Sequence, residues 1–126
     1  METKKIIITG GATRIGSAIA KSLAGFQTKI GIHYNKSKRS ALKLKKELVE
    51  LGADAYLFKA DLDNLKQTQS LIKKAYKTMK GLDCLINNAS IFENDNLENF
   101  SEKSFTKHIN VNLKAPAILT QNFKKI

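Results

Sequence analysis

Apolar positions along this chain follow two rhythms in alternation. Short β-rich runs, of which Ile6-Ile7-Ile8 is the clearest, are separated by longer stretches whose apolar residues recur at helical spacing. The pattern predicts strands near residues 4–9, 28–34, 54–59 and 82–86, and helices near 14–24, 38–51, 64–80 and 101–124. Strands alternating with helices argue for a parallel sheet covered on both faces, and right-handed crossovers then determine much of the topology. The predicted fold class is α/β, a doubly wound parallel sheet of about four βα units. In such a sheet the strand order reverses beside the first strand, and ligands bind at the strands' C-terminal ends next to that point.

Local chemistry marks the helix ends. The second helix keeps Leu42, Leu48 and Leu51 among lysines and ends at Gly52, where a left-handed cap is expected. The third opens after Asp63-Asn64, good N-cap residues, and closes at Gly81. The fourth begins at Ser101-Glu102-Lys103-Ser104 and places Phe105, Ile109 and Leu113 on one face. Pro116 is predicted to kink it, since a mid-helix proline removes a backbone hydrogen bond and crowds the preceding turn. No repeat, linker or low-complexity tract interrupts the series, so residues 1–126 read as one domain.

Composition narrows the class. The chain is 42% hydrophobic without a run long enough to span a bilayer, and a strand begins too close to Met1 to leave room for a signal peptide. A cytoplasmic location is expected. Cys84 is the single cysteine, which excludes an intrachain disulfide, and its apolar setting suits a strand interior better than a nucleophile. No metal site is expected. The net charge of +11 is unevenly placed: residues 1–46 hold 11 Lys/Arg against one acid, and residues 47–126 hold 11 against ten. A basic chain can bind nucleic acid. Scattered lysines, only two arginines and no interleaved aromatics favour a solvated basic surface instead.

The candidate chemistry gathers at the strand ends. Thr9-Gly10-Gly11-Ala12-Thr13-Arg14-Ile15-Gly16 follows the first strand and leads into a helix. A strand that breaks at glycines and becomes a helix directs unpaired N–H groups and a positive dipole end at one point, which suits a phosphate. The glycines at 10, 11 and 16 do not make the usual Gly-x-Gly-x-x-Gly. In dinucleotide sites an acid after the second strand binds the adenosine ribose, whereas basic or hydroxyl groups there accept a 2′-phosphate. This chain has no acid between Glu2 and Glu47 and reads His33-Tyr34-Asn35-Lys36-Ser37-Lys38-Arg39 at that place. That segment is either a solvated loop or a 2′-phosphate site, and with the turn upstream it points to NADPH. Asp61 after the third strand and Asn87-Asn88-Ala89-Ser90 after the fourth are turn chemistry when taken singly.

Taken in order, these segments resemble the landmarks of the short-chain dehydrogenase/reductase family, whose fold is Rossmann-like. Thr9 to Gly16 is similar to the family's Thr-Gly-x-x-x-Gly-x-Gly turn, with Arg14 replacing the middle glycine. Asp61-Leu62 resembles the Asp-Leu or Asp-Val near the adenine, and Asn87 to Ser90 resembles the Asn-Asn-Ala-Gly beside the nicotinamide-side ribose. Asn110-Val111-Asn112-Leu113 resembles the next landmark, which implies that Asn112 is the catalytic-site asparagine whose carbonyl holds a water in the proton relay. Cofactor contacts implied are Gly10, Arg14, Ile15 and Gly16, then His33, Tyr34, Asn35 and Ser37, then Asp61 and Leu62, and finally Asn88, Ala89 and Ser90.

Three features are similar to the pteridine reductase branch, dihydromonapterin-type reductases included: Arg14 in the turn, His33-Tyr34-x-x-Ser37, and Asn88-Ala89-Ser90-x-Phe92. The likeness implies that Arg14 lies between cofactor phosphates and substrate, that Ser90 hydrogen-bonds, and that Phe92 walls an aromatic slot opposite the nicotinamide. A flat polar pterin gains from a ring face and from donors at its edge. Phe92 read alone is as well explained as a core anchor for its loop.

In the family a Tyr-x-x-x-Lys pair supplies the proton, the lysine's charge lowering the tyrosine's pKa. Tyr34/Lys38 and Tyr76/Lys80 match that spacing, but one belongs to the adenosine end and the other to the third helix. The family's pair follows a fifth strand, and no such strand is predicted before Ile126. The expectation is the N-terminal, cofactor-binding half of an NADPH-dependent reductase acting on a small molecule, inactive alone and a homo-oligomer in its full-length form. A non-catalytic NADP(H)-binding or partner-binding module is the alternative, and a nucleic-acid binder the third reading.

Overall fold

The computed structural model describes residues 2–126. Four strands, β1 (Lys4–Ile8), β2 (Thr28–Tyr34), β3 (Asp54–Lys59) and β4 (Cys84–Ile86), form one parallel sheet in the order β3-β2-β1-β4. Helices α1 (Arg14–Leu23), α2 (Lys38–Glu50) and α3 (Leu65–Met79) make the crossovers. After β4, helix α4 (Glu102–Ile109), a π-helical turn (Asn110–Lys114) and α5 (Ala115–Lys125) run on without a break. The chain steps outward from β1 through β2 to β3 and then returns to the opposite side of β1. That return makes the topological switch point lie between β1 and β4.

Central strand β1 shows why its isoleucines stand in a row rather than alternating with polar residues. Ile6 and Ile8 face a core shared with Ile30, Ile32, Ala41, Leu44 and Leu48. Ile7 faces the opposite core, among Phe58, Leu71, Ile72, Met79 and Leu119. A strand buried on both sides needs apolar residues at both parities. The register pairs Ile6 with Ile30 on one side and with Cys84 on the other, and Ile30 with Ala55. Cys84 is half-buried in edge strand β4, packed against the first core. No helix among the described residues is long and apolar enough to cross a membrane.

The structure locates the buried side of one helix and corrects the expectation for another. The buried side of α2 is Ala41, Leu44 and Leu48, whereas Leu42 and Leu51 stand about half exposed. The helical positions 41, 44 and 48 fall on one stripe, and Leu42 lies beside it rather than on it. The fourth helix is not a single α-helix kinked at Pro116. Its irregularity is the π turn just before the proline, where the N–H of Ala115 donates to the carbonyl of Asn110, five residues back. The wider turn places Pro116 in the first turn of α5, where a missing N–H does no harm. Phe105, Ile109 and Leu113 remain exposed on this helical stretch, and Val111, Ala115 and Leu119 form its buried side.

Candidate functional site

The C-terminal strand ends surround one open cleft of about 460 Å³. The β1–α1 turn contributes Gly10, Thr13, Arg14 and Ile15, and β2 with the loop after it contributes His33, Tyr34, Asn35, Lys36 and Ser37. Ala60, Asp61 and Leu62 come from beyond β3, Asn88 to Ile91 from beyond β4, and Lys107 and Val111 from the helix opposite. Of the sequence-predicted residues, only Gly16, Phe92 and Asn112 lie outside this lining.

The turn after β1 is held from both sides by hydrogen bonds. Buried Thr9 accepts at Oγ1 from the backbone N–H of Asn88 and of Ala89, each at 3.0 Å. The Asn88 side chain donates to the carbonyls of Thr9 and Gly10, both at 3.1 Å. Asn88 thus fastens the turn to the loop after β4. From the other side, Gly10 N–H donates to Nδ1 of His33 at 2.9 Å, and His33 Nε2 lies 2.8 Å from the Ala60 carbonyl. His33 borders the cleft, yet both its ring nitrogens are committed to backbone groups.

Two glycines are required here by geometry. Gly10 has φ +60, and a Cβ on it would stand 2.9 Å from the Cα of Ala89. A Cβ on Gly16 would collide with the Gly10 carbonyl and approach the Cα of Gly11 and Nδ2 of Asn88 to 2.7 Å. Gly16 therefore lets α1 start against the turn without lining the cleft itself. Between them Arg14 adopts φ +50, a left-handed conformation that costs an ordinary residue about 1–2 kcal/mol. The position that resembles a family glycine has kept a glycine's backbone while carrying a guanidinium.

The first turns of α1 and α2 are chemically bare. Thr13 and Ser37 occupy their N-cap positions without capping through their side chains, and neither first turn contains an acid. The cleft's charged side chains are Arg14, Lys36 and Lys107 against the single carboxylate of Asp61. Asp61 accepts from Asp63 N–H at 2.9 Å, which orients its carboxylate. Half-buried Lys107 also lies 3.4 Å from Glu93. First-turn N–H groups without a side-chain cap, aligned dipoles and surplus cations together favour a polyanion.

Beyond β4 the loop is held by the helix that follows it. Asn112, inside the π turn, accepts at Oδ1 from Ile91 N–H at 2.8 Å and donates from Nδ2 to the Ile91 carbonyl at 2.9 Å. His108 accepts at Nε2 from Glu93 N–H at 3.0 Å. Phe92, between these two anchored residues, is 83% exposed and belongs to neither core, so it is not a core anchor. Tyr34 lies at the cleft, with Lys38 at the start of α2, while Tyr76 is on α3 with Lys80 capping that helix. Sequence reasoning missed Lys107 and Val111. Their spacing of four places them on one helix face, adjacent to Asn112, and that was the available signal.

A family model for short chain dehydrogenases matches residues 4–126. A short-chain dehydrogenase/reductase of Pestalotiopsis microspora is 32% identical over 114 residues, 90% of this chain and 43% of its own length. The chain spans about half the length of the curated relatives it matches. Among solved structures, FolM alternative dihydrofolate reductase 1 of Brucella canis, complexed with NADP, is 32% identical with a TM-score of 0.86, covering 97% of this chain and 49% of that one. A short chain dehydrogenase of Burkholderia cenocepacia in complex with NADP is 30% identical with a TM-score of 0.93, over 98% and 51%. An NADH-dependent reductase complexed with NAD is 29% identical with a TM-score of 0.86, over 96% and 50%. The glycine turn, the switch-point cleft and a match over nearly the whole sequence agree: the chain belongs to the short-chain dehydrogenase family.

Proposed function

We propose that the cleft is an NADP(H) site and that the chain supplies the cofactor-binding part of a reductase for a pteridine or similar carbonyl or imine substrate. The observation that supports this best is the pair of bare, acid-free helix starts, with Arg14, Lys36 and Ser37 beside them. Phosphates satisfy those N–H groups, and the absence of an acid after β2 favours a phosphorylated ribose over a free one. Asp61 receives donors of the adenine, and Asn88, Ala89 and Ser90 border the nicotinamide-side ribose. NADPH supplies the hydride when bound.

Asn112 then acts through its backbone. Its side chain is occupied with Ile91, so the part that the family resemblance gives it falls to its backbone carbonyl. That carbonyl is able to hold a water of the proton relay. Neither Tyr-x-x-x-Lys match in these 126 residues supplies the proton donor, and the chain alone does not turn over. A general acid of this kind contributes about 10²- to 10⁴-fold. NADPH oxidation by the 126-residue protein with a pterin tests this, and robust turnover contradicts it.

For the pteridine reading, Arg14 and Ser90 supply donors at the substrate's edge and exposed Phe92 a ring face. The likeness to the alternative dihydrofolate reductase supports it. In a full-length form, Phe92→Ala impairs pterin reduction while NADPH binding stays nearly intact, the lost stacking being worth about 0.5–1.5 kcal/mol. The exposed apolar row of Phe105, Ile109 and Leu113 and the open edge of β4 provide surfaces for self-association of that form. The cofactor assignment is tested by titrating wild type and Arg14→Ala with NADPH and NADH. Loss of a charged hydrogen bond costs about 1.5–3 kcal/mol, roughly ten- to 150-fold, in NADPH affinity. Equal affinity of wild type for the two cofactors overturns the assignment.

A further inference from the structure

His33 is 3% exposed, and its ring links three strand ends. Gly10 N–H can only donate, so Nδ1, 2.9 Å away, is unprotonated. The Ala60 carbonyl can only accept, so Nε2, 2.8 Å away, carries the hydrogen. One neutral tautomer satisfies both partners. The backbone runs parallel to this link, with Gly11 N–H on the His33 carbonyl at 3.1 Å and Ala60 N–H on the Tyr34 carbonyl at 3.0 Å. Those bonds form with any residue at position 33. Among the described residues the Gly10 N–H has no acceptor other than the imidazole.

We propose that His33 is the positioning residue of the phosphate-facing turn, a neutral imidazole strap that holds Gly10 against the ends of β2 and β3 and lets go when it is protonated. Proton uptake at Nδ1 sets two donors face to face, Nδ1–H and Gly10 N–H, at a residue that is almost fully buried. Burial, the larger influence, holds the imidazole below its ordinary value, against the opposing pull of the Ala60 carbonyl. The titratable groups around the same cavity are Arg14 at the head of α1, Tyr34 and Lys36 from β2 and its loop, Asp61 beyond β3, and Lys107 on α4. None of them hydrogen-bonds the ring, whose partners are both backbone.

The sign follows from the direction of the shift. The folded value lies below the unfolded one, so between the two the unfolded chain binds more protons and stability rises with pH. The stability contribution is complete above the ordinary value of about 6.5 and declines as the pH falls below it, and the strap itself opens in the folded chain as the pH passes down through the lowered folded value. Its consequence for the cofactor rests on the NADP(H) reading of the cleft, and its effect on Gly10 does not.

Two amides separate the ring's halves. His33→Asn places an acceptor where Nδ1 stood, His33→Gln places a donor where Nε2 stood, and neither titrates. The measurements are amide-exchange protection of Gly10 in the ligand-free protein from pH 8 down to the acid limit of the folded state, and NADPH affinity at the same points. Wild type loses Gly10 protection by about tenfold or more toward acid, the scale of one orphaned buried donor. His33→Asn keeps most of that protection at all pH values, while His33→Gln and His33→Leu lack it even at pH 8. NADPH affinity falls in the same order, and the 2′-phosphate's own ionisation near 6 is common to every variant. Full protection in His33→Leu, or an acid loss in His33→Asn equal to wild type, overturns the proposal. Should no protein bind NADPH while Gly10 follows the stated pattern, the strap stands and the cofactor reading falls. If His33→Leu does not fold, the contrast between Asn and Gln decides alone.

Discussion

Four of the helices that follow loops begin in two different ways. Helices α3 and α4 are closed by their own side chains: Asn64 accepts from Gln67 N–H and Ser101 from Ser104 N–H, each at 3.0 Å. Helices α1 and α2 start at Thr13 and Ser37, residues of the same capping chemistry, with neither side chain turned back onto the helix. Capping is worth about 1 kcal/mol per helix, so leaving it out at two helices that share a cleft is a cost to the fold. The difference teaches where stability has yielded to a ligand. Strain lies on the same side, with Arg14 at φ +50 on the first residue of α1.

The sharpest way to break the contrast is to close the cleft side with a single methyl. Gly16→Ala drives a Cβ into the backbone of the turn, and neither the Gly10 carbonyl nor Gly11 can yield as a flexible side chain would. A loss of about 1–3 kcal/mol in denaturant stability is expected, together with the loss of measurable NADPH binding. Arg14→Gly moves the two properties apart. Relief of the left-handed conformation raises stability by about 1 kcal/mol after the entropy of glycine is counted, while NADPH affinity falls. Stability and affinity falling together would show that Arg14 serves the fold instead.

Smaller effects sharpen the comparison. Asn64→Ala and Ser101→Ala each cost about 1 kcal/mol in urea unfolding and leave NADPH affinity unchanged, since neither residue borders the cleft. A shift in affinity would break the division between capped and bare helices. Ser37→Asp adds an acid at the head of α2, worth about 0.3–1 kcal/mol of stability through the helix dipole. It repels a 2′-phosphate, so NADPH affinity falls and NADH affinity does not.

Much of this division was legible in the residues. The sheet, its crossovers and the caps at Asn64 and Ser101 follow from period and turn chemistry, because local preferences and burial agree there. The leucines of α2 do not by themselves mark its buried stripe: Leu42 and Leu51 stand about half exposed, whereas small Ala41 is fully buried. Pro116 marked the right place in the last helix and the wrong device, since a π turn depends on what Asn112 must reach across the loop. His33 shows a further limit. A histidine at a strand end reads as a ligand contact, and only the positions of Gly10 and Ala60 reveal that both nitrogens are occupied.

The central claim is that the two uncapped helix starts exist for phosphate, and backbone amides report on it directly. In ¹H–¹⁵N spectra of the ¹⁵N-labelled 126-residue chain titrated with NADPH, residues 14–17 and 37–40 are predicted to shift most. The first turns of α3 and α4 remain in place. Shifts centred on those capped helices, or no shifts at saturating NADPH in a folded chain, would contradict the account.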